Sequence, residues 1–131
     1  MSSDLVQFLK RRLDEDEEIA KDPTHATWAT AEWRFSDAGN APYVDLGTNH
    51  LDSVSSLNES EMRHIARHDP ARVLAEVDAK RELLSRYEAM VADVLVVTGR
   101  EAILSEYRRV ILPSLALPYA DHPGYRAEWR P

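Results

Sequence analysis

Glu61, His64 and His68 carry the most suggestive spacing in the chain. On a helix, His64 and His68 stand one turn apart on one face, with Glu61 three residues before His64 on the same side. Two imidazoles and a carboxylate so placed suit a zinc, iron or manganese ion. The residues between the histidines are Ile65, Ala66 and Arg67, so the glutamate of the metalloprotease helix motif is missing. A di-iron bundle needs two Glu-x-x-His motifs, and no second one occurs. Further ligands would have to come from His25, His50, the acidic run at 14–18, or Asp121 and His122. The competing expectation is structural: His68 adjoins Asp69 at a helix C-terminus, where a protonated imidazole is favoured. No cofactor is expected on this reading. A divalent metal at His64, His68 and Glu61 is the alternative, and with it a small metal-dependent enzyme.

Other chemistries find less support. The chain has no cysteine, which excludes disulfides, zinc–thiolate sites, iron–sulfur clusters and cysteine nucleophiles. A Gly-x-Ser-x-Gly elbow is absent. The four glycines form neither of the phosphate-cradling patterns, Gly-x-x-x-x-Gly-Lys or Gly-x-Gly-x-x-Gly. Asp121-His122-Pro123 offers an acid/base pair, but it reads first as a turn, with Asp121 bonding local backbone and Pro123 stiffening it. Trp28, Trp33, Phe35 and Tyr43 could stack a base or sugar, but such aromatics belong first to a core between a hairpin and helices. A nucleic-acid role also wants a basic stripe. No catalytic residue is assigned.

Charge narrows the partners. The net charge is −7, and all of it sits in residues 1–66, with six Lys and Arg against thirteen Asp and Glu. The second half is balanced, ten against ten. Such a chain repels phosphate backbones, so nucleic acid is disfavoured. Asp14, Glu15, Asp16, Glu17 and Glu18 form the densest run. Its plain reading is the solvated end of a helix, and its sharper one is a surface imitating DNA phosphates. Thirteen arginines stand against three lysines, scattered as GC-rich codon usage would scatter them. The first residues have no basic n-region or apolar h-region, and no stretch approaches the roughly 20 apolar residues of a membrane span. A cytoplasmic protein is expected.

The elements that must position these residues follow from periodicity. At 131 residues and 44% apolar, the chain suits one domain, residues 1–131. An amphipathic helix is expected over 3–21, with Leu5, Phe8, Leu9, Leu13 and Ile19 on its stripe. Asp22-Pro23 ends it. Alternating aromatics from Thr27, a turn at 36–40 and a return at 43–46 closed by Gly47 predict a β-hairpin over 27–47. Leu51–Ser55 is a candidate third strand. Ser56 and Glu59 fit a capping box that opens a helix over 57–68. Asp69 then suits an N-cap and Pro70 the first helical position, which starts a long helix over 70–98. Val77, Leu84, Tyr87, Val91 and Val94 form a near-heptad stripe along it. Gly99 ends it, and Thr98 and Glu101 fit a second capping box. A helix over 100–117 is kinked or restarted at Pro113 and ended at Pro118. Tyr119, Tyr125 and Trp129 mark an aromatic tail, 119–131, expected to lie across the body. The fold class is α+β and mostly helical: four or five helices with a small antiparallel hairpin.

Three stretches carry a family resemblance: Asp4-Leu-Val-Gln-Phe-Leu with Arg12-Leu-Asp-Glu-Asp-Glu17; His64-Ile-Ala-Arg-His-Asp-Pro-Ala-Arg-Val-Leu74 with Glu76-Val and Ala79-Lys-Arg81; and Leu115-Ala-Leu-Pro-Tyr-Ala-Asp-His-Pro-Gly-Tyr125 with Glu128-Trp-Arg-Pro131. Together they resemble a family of small uncharacterised proteins of actinobacteria, chiefly Streptomyces, and their phages. The resemblance implies provenance and a complete chain, and it transfers no catalytic residue. The functional expectation is a non-catalytic accessory protein of phage or prophage type. It would act by contact with an unidentified protein partner, or as a homodimer through Val77, Leu84, Tyr87, Val91 and Val94.

Overall fold

A computed structural model describes residues 2–37, 41–47, 53–55, 57–93 and 98–131. It has the mostly helical α+β architecture that the periodicity predicts. In chain order come α1 (Ser2–Lys21), β1 (Ala29–Ser36), β2 (Tyr43–Gly47), β3 (Ser53–Val54), α2 (Glu59–Arg67), α3 (Pro70–Ala92), α4 (Arg100–Glu106), a π-helical stretch (Tyr107–Ile111) and α5 (Leu112–Ala116). The chain forms two compact units, one of Met1–Asp14 with Asp78–Pro131 and one of Glu15–Val77. Helices α1 and α3 each contribute residues to both.

The unit of Glu15–Val77 is built on a three-stranded antiparallel sheet in the order β1–β2–β3. Ser36 pairs Tyr43 and Arg34 pairs Asp45, whereas Ala29 pairs Gly47, so the register slips between Ala29 and Arg34. Gly47 permits that slip. A Cβ there would lie 2.3 Å from the Trp28 carbonyl oxygen, a contact no side chain tolerates. Buried Val44 and Met62 form the centre of this unit's core. Helix α2 starts two residues later than the expected capping box. Asn58 is the N-cap: its side chain accepts the Glu61 N–H at 2.9 Å, and Glu61 accepts the Asn58 N–H at 3.0 Å. Glu59, expected to close the box, instead pairs with Arg63, and Ser56 lies outside the described residues. Asn58 has its own carboxylate at the third helical position, Glu61, and that box is the one formed.

Asp69 behaves as its sequence position predicts and does more. One carboxylate oxygen accepts the Arg72 N–H at 2.9 Å and caps α3. The other accepts the Trp33 N–H of β1 at 3.1 Å. One side chain therefore both starts the helix and fixes it to the sheet.

In the other unit, α1 and α3 run antiparallel, joined by Lys10–Glu88 and Asp14–Arg81 ion pairs, each 2.8 Å. Leu5, Leu9, Leu13, Leu84, Leu104 and Leu112 are buried. Tyr87 and Tyr107 stack at 5.6 Å between α3 and the π-helical stretch. The described part of α3 ends at Ala92, short of the expected 98, and residues 94–97 lie outside the description. Arg100 shows why the end falls there. Its guanidinium donates to the Met90 and Val91 carbonyls, which have no partner inside a helix that stops. Gly99 does not end α3. It is the N-cap of α4, at φ 85°, and makes no side-chain cap bond, so the expected Thr98–Glu101 box is not formed. The kink at Pro113 takes the form of a π-turn, in which the Leu112 N–H bonds the Tyr107 carbonyl. The wider turn precedes a residue that lacks an N–H and whose ring crowds the carbonyl four residues back.

The tail wraps onto α1 of its own unit. Phe8 lies at 5.0 Å from the Trp129 ring, 6.1 Å from Tyr125, 6.3 Å from Tyr119 and 5.6 Å from His122. Ile19 lies eleven residues beyond Phe8, close to three turns at about 3.6 residues each. It belongs to the other unit, and it is 63% exposed instead of joining the stripe. Val6 and Ala20 are buried in addition.

Asp69→Ala is expected to cost about 2 kcal/mol, because it removes a cap and leaves the Trp33 N–H without its acceptor. Asp69→Asn should cost less, since its amide oxygen retains one acceptor. Urea denaturation of the two variants measures the difference.

Candidate functional site

The Glu61–His64–His68 cluster is formed by α2 and its C-cap. The imidazoles stack, ring centroids 4.2 Å apart and planes 29° from parallel. His68 Nδ1 sits 2.9 Å from the His64 carbonyl oxygen. Glu61 accepts the Asn58 N–H in the capping box. All three are exposed, and each is engaged by the helix itself. A metal ion would have to unstack the rings and draw Glu61 from the cap. His25 is exposed beside Asp22, His50 lies outside the described residues, and among the described residues no group of three His, Cys, Asp or Glu side chains is placed to hold a metal.

The α3 stripe divides. Val77, Leu84 and Tyr87 are buried in the chain's own core, whereas Val91 is 46% exposed. Val94 lies outside the described residues. Val91 borders a groove of about 310 Å³ with Val6, Tyr87 and Ala92, its rim carrying Ser3, Gln7 and Glu88. Its lining comes from the start of α1 and the end of α3.

Asp121 and His122 form the expected turn with the roles exchanged. His122 makes it: its N–H bonds the Tyr119 carbonyl, and its Nδ1 accepts the Gly124 N–H at 2.9 Å. In the acidic run, Asp14 pairs with Arg81 and Glu17 with Lys21, so two of its carboxylates are neutralised by near neighbours. Trp28, Trp33, Phe35 and Tyr43 are half-buried on the sheet, with Arg63 of α2 over the Phe35 ring at 4.4 Å.

Sequence reasoning missed one grouping. Arg11, Arg12, His122 and Arg126 line a single pocket with Phe8 and Trp129. The pair Arg11–Arg12 is visible in the sequence, but its meeting with residues more than a hundred positions away is not.

A mostly helical α+β protein is thus defined, with an apolar groove and an arginine-lined pocket among the exposed features of its described residues. The chain belongs to a family of unknown function, DUF6221, whose family model matches residues 2–131. No curated protein and no solved structure matches it. No described helix is long and apolar enough to cross a membrane.

His64→Ala and His68→Ala are each expected to change stability by less than about 0.5 kcal/mol, as exposed substitutions do. Equimolar zinc is expected to leave the His64 and His68 ring resonances unshifted in an NMR titration. Loss of the ring stack on zinc addition would restore the metal reading.

Proposed function

We propose that this is a non-catalytic cytoplasmic accessory protein of phage or prophage type that acts through protein–protein contact at the α1–α3 groove. The observation that carries the reading is Val91, an apolar side chain 46% exposed at the end of an otherwise buried stripe. Around it, Val6, Tyr87 and Ala92 line an apolar trough, the form that receives an apolar helix face or side chain from a partner. A second copy of the chain is the simplest partner, since under two-fold symmetry the exposed Val91 of each copy would enter the groove of the other. The phage or prophage assignment rests on the resemblance of the three sequence stretches. Of the wider stripe, Val77 and Leu84 are buried in the fold, and Tyr87, also buried, lends one side to the groove wall.

Native mass spectrometry tests this directly. The untagged protein is expected to give a dimer, and Val91→Glu a folded monomer. Leu84→Glu should instead unfold the chain, with loss of helical circular dichroism, because it places a charge in the core. A monomeric wild type would remove the homodimer. A photo-crosslinker at position 91 would then have to capture a different protein, and failure there too would overturn the contact reading.

A further inference from the structure

A pocket of about 340 Å³ lies within the compact unit of Glu15–Val77. Ile19 and Ala20 of α1, Pro23 beyond it, Trp33 of β1, and Pro70 and Val73 of α3 make it apolar. Asp16 and His68 are its polar residues, and no described lysine or arginine lines it. Asp16, Ile19, Ala20 and Pro23 follow the three–four spacing that puts side chains on one helix face. The walls are fixed to one another, because Asp69 accepts the Trp33 N–H and also caps the helix that carries Pro70 and Val73. Ile19 is 63% exposed. A single exposed isoleucine is ordinary, but this one is continuous with Pro23, Trp33 and Val73, and such a patch marks a contact.

The charge of this unit is one-sided. Residues 15–77 hold thirteen Asp and Glu against five Lys and Arg, whereas the other unit holds ten against eleven. Three of the five cations are engaged by near neighbours: Lys21 by Glu17, Arg63 by Glu59 and Arg72 by Glu76. The remaining two, Arg34 and Arg67, do not line the pocket. Glu18, beside Ile19, is exposed and has no ion pair among the described residues. Asp22, beside Pro23, is exposed, with His25 3.8 Å away. The His68 Nδ1 donates to the His64 carbonyl, so the neutral ring keeps Nε2 as an acceptor. Trp33 adds the ring type that best receives a guanidinium or ammonium group.

We propose that this pocket docks a basic peptide segment of a partner protein. One bulky apolar side chain of the segment enters between Ile19, Trp33 and Val73, and its flanking Lys or Arg residues meet the acidic end of α1. The apolar anchor supplies affinity, and the one-sided charge around it selects and steers the basic partner. A second copy of the chain is the poorer occupant, because two copies of the same acidic face repel. Nucleic acid and anionic lipid are repelled for the same reason. The pocket and the Val91 groove lie in different units, so the two proposals stand or fall independently.

The test is an NMR titration of the full chain with the peptide acetyl-Arg-Arg-Leu-Arg-Arg-amide at neutral pH and low ionic strength. A Kd below about 1 mM is expected, with the Trp33 indole N–H and the Ile19 methyl signals shifting. Replacing the peptide's leucine by glycine should weaken binding at least about fivefold, and replacing its arginines by glutamine should do the same. On the protein, Ile19→Ser, an exposed change that leaves the fold intact, should weaken binding at least about threefold. Glu18→Gln should weaken it about twofold. Glu101→Gln, which removes an exposed carboxylate from the other unit, should leave the affinity unchanged. Unmoved Trp33 and Ile19 signals up to about 10 mM peptide would overturn the proposal. A glycine peptide that binds as tightly as the leucine one would also overturn it, as diffuse charge attraction, and so would an Ile19→Ser protein that binds like the wild type. Shifts of the Trp33 and Ile19 signals on raising the protein concentration alone would overturn it in favour of a second copy.

Discussion

The Phe8 ring is the contact on which the unit of Met1–Asp14 and Asp78–Pro131 depends. Four rings of the C-terminal segment, Tyr119, His122, Tyr125 and Trp129, gather around it. Most of these contacts are edge-on, the geometry that sets the positive rim of one ring against the negative face of another. The segment itself forms no long helix and no strand. Phe8 on α1 gathers its rings, with the Arg126–Asp4 ion pair and Lys80 over the Tyr119 ring as further contacts. The arginine-lined pocket is a by-product of that docking, because only the docked tail brings Arg126 and His122 to Arg11 and Arg12.

In the unit of Glu15–Val77, a polar side chain has the equivalent place. Asp69 joins sheet to helix through its two carboxylate oxygens. The Trp33 N–H that it takes lies in the stretch where β1 and β2 slip register, and so would otherwise want an acceptor. The slip in turn needs Gly47, which lets the Trp28 backbone approach. Helix start, strand irregularity and glycine are thus three parts of one local solution.

The candidate sites show how far spacing can be read as chemistry. The i, i+4 placement of His64 and His68 was legible, and the structure keeps the two rings adjacent. Spacing alone does not say what the rings do with that closeness, and here they stack while the backbone takes one nitrogen. The α3 stripe was equally legible as apolar. Which of its members face the chain's own core was not, because a helix has the same period whether it packs inward or toward a partner. Leu84 is buried, whereas Val91 is 46% exposed and borders the groove.

The sequence by itself determined the elements. Helix starts at Asp69-Pro70, the break at Asp22-Pro23, the hairpin over the aromatic run and the disturbance at Pro113 all follow from backbone dihedrals and periodicity, which act over a few residues. Tertiary structure alone decided what depends on distant partners. Two overlapping capping boxes stand in the sequence, and the one formed is Asn58 with Glu61. The described α3 ends at Ala92 because Arg100 returns to its open carbonyls. Ile19 stays exposed, while Phe8 is buried among the rings of the tail in its own unit. The arginine pocket joins residues 4–12 to residues 122–129, a meeting that local preference cannot encode and that aromatic burial against Phe8 brings about.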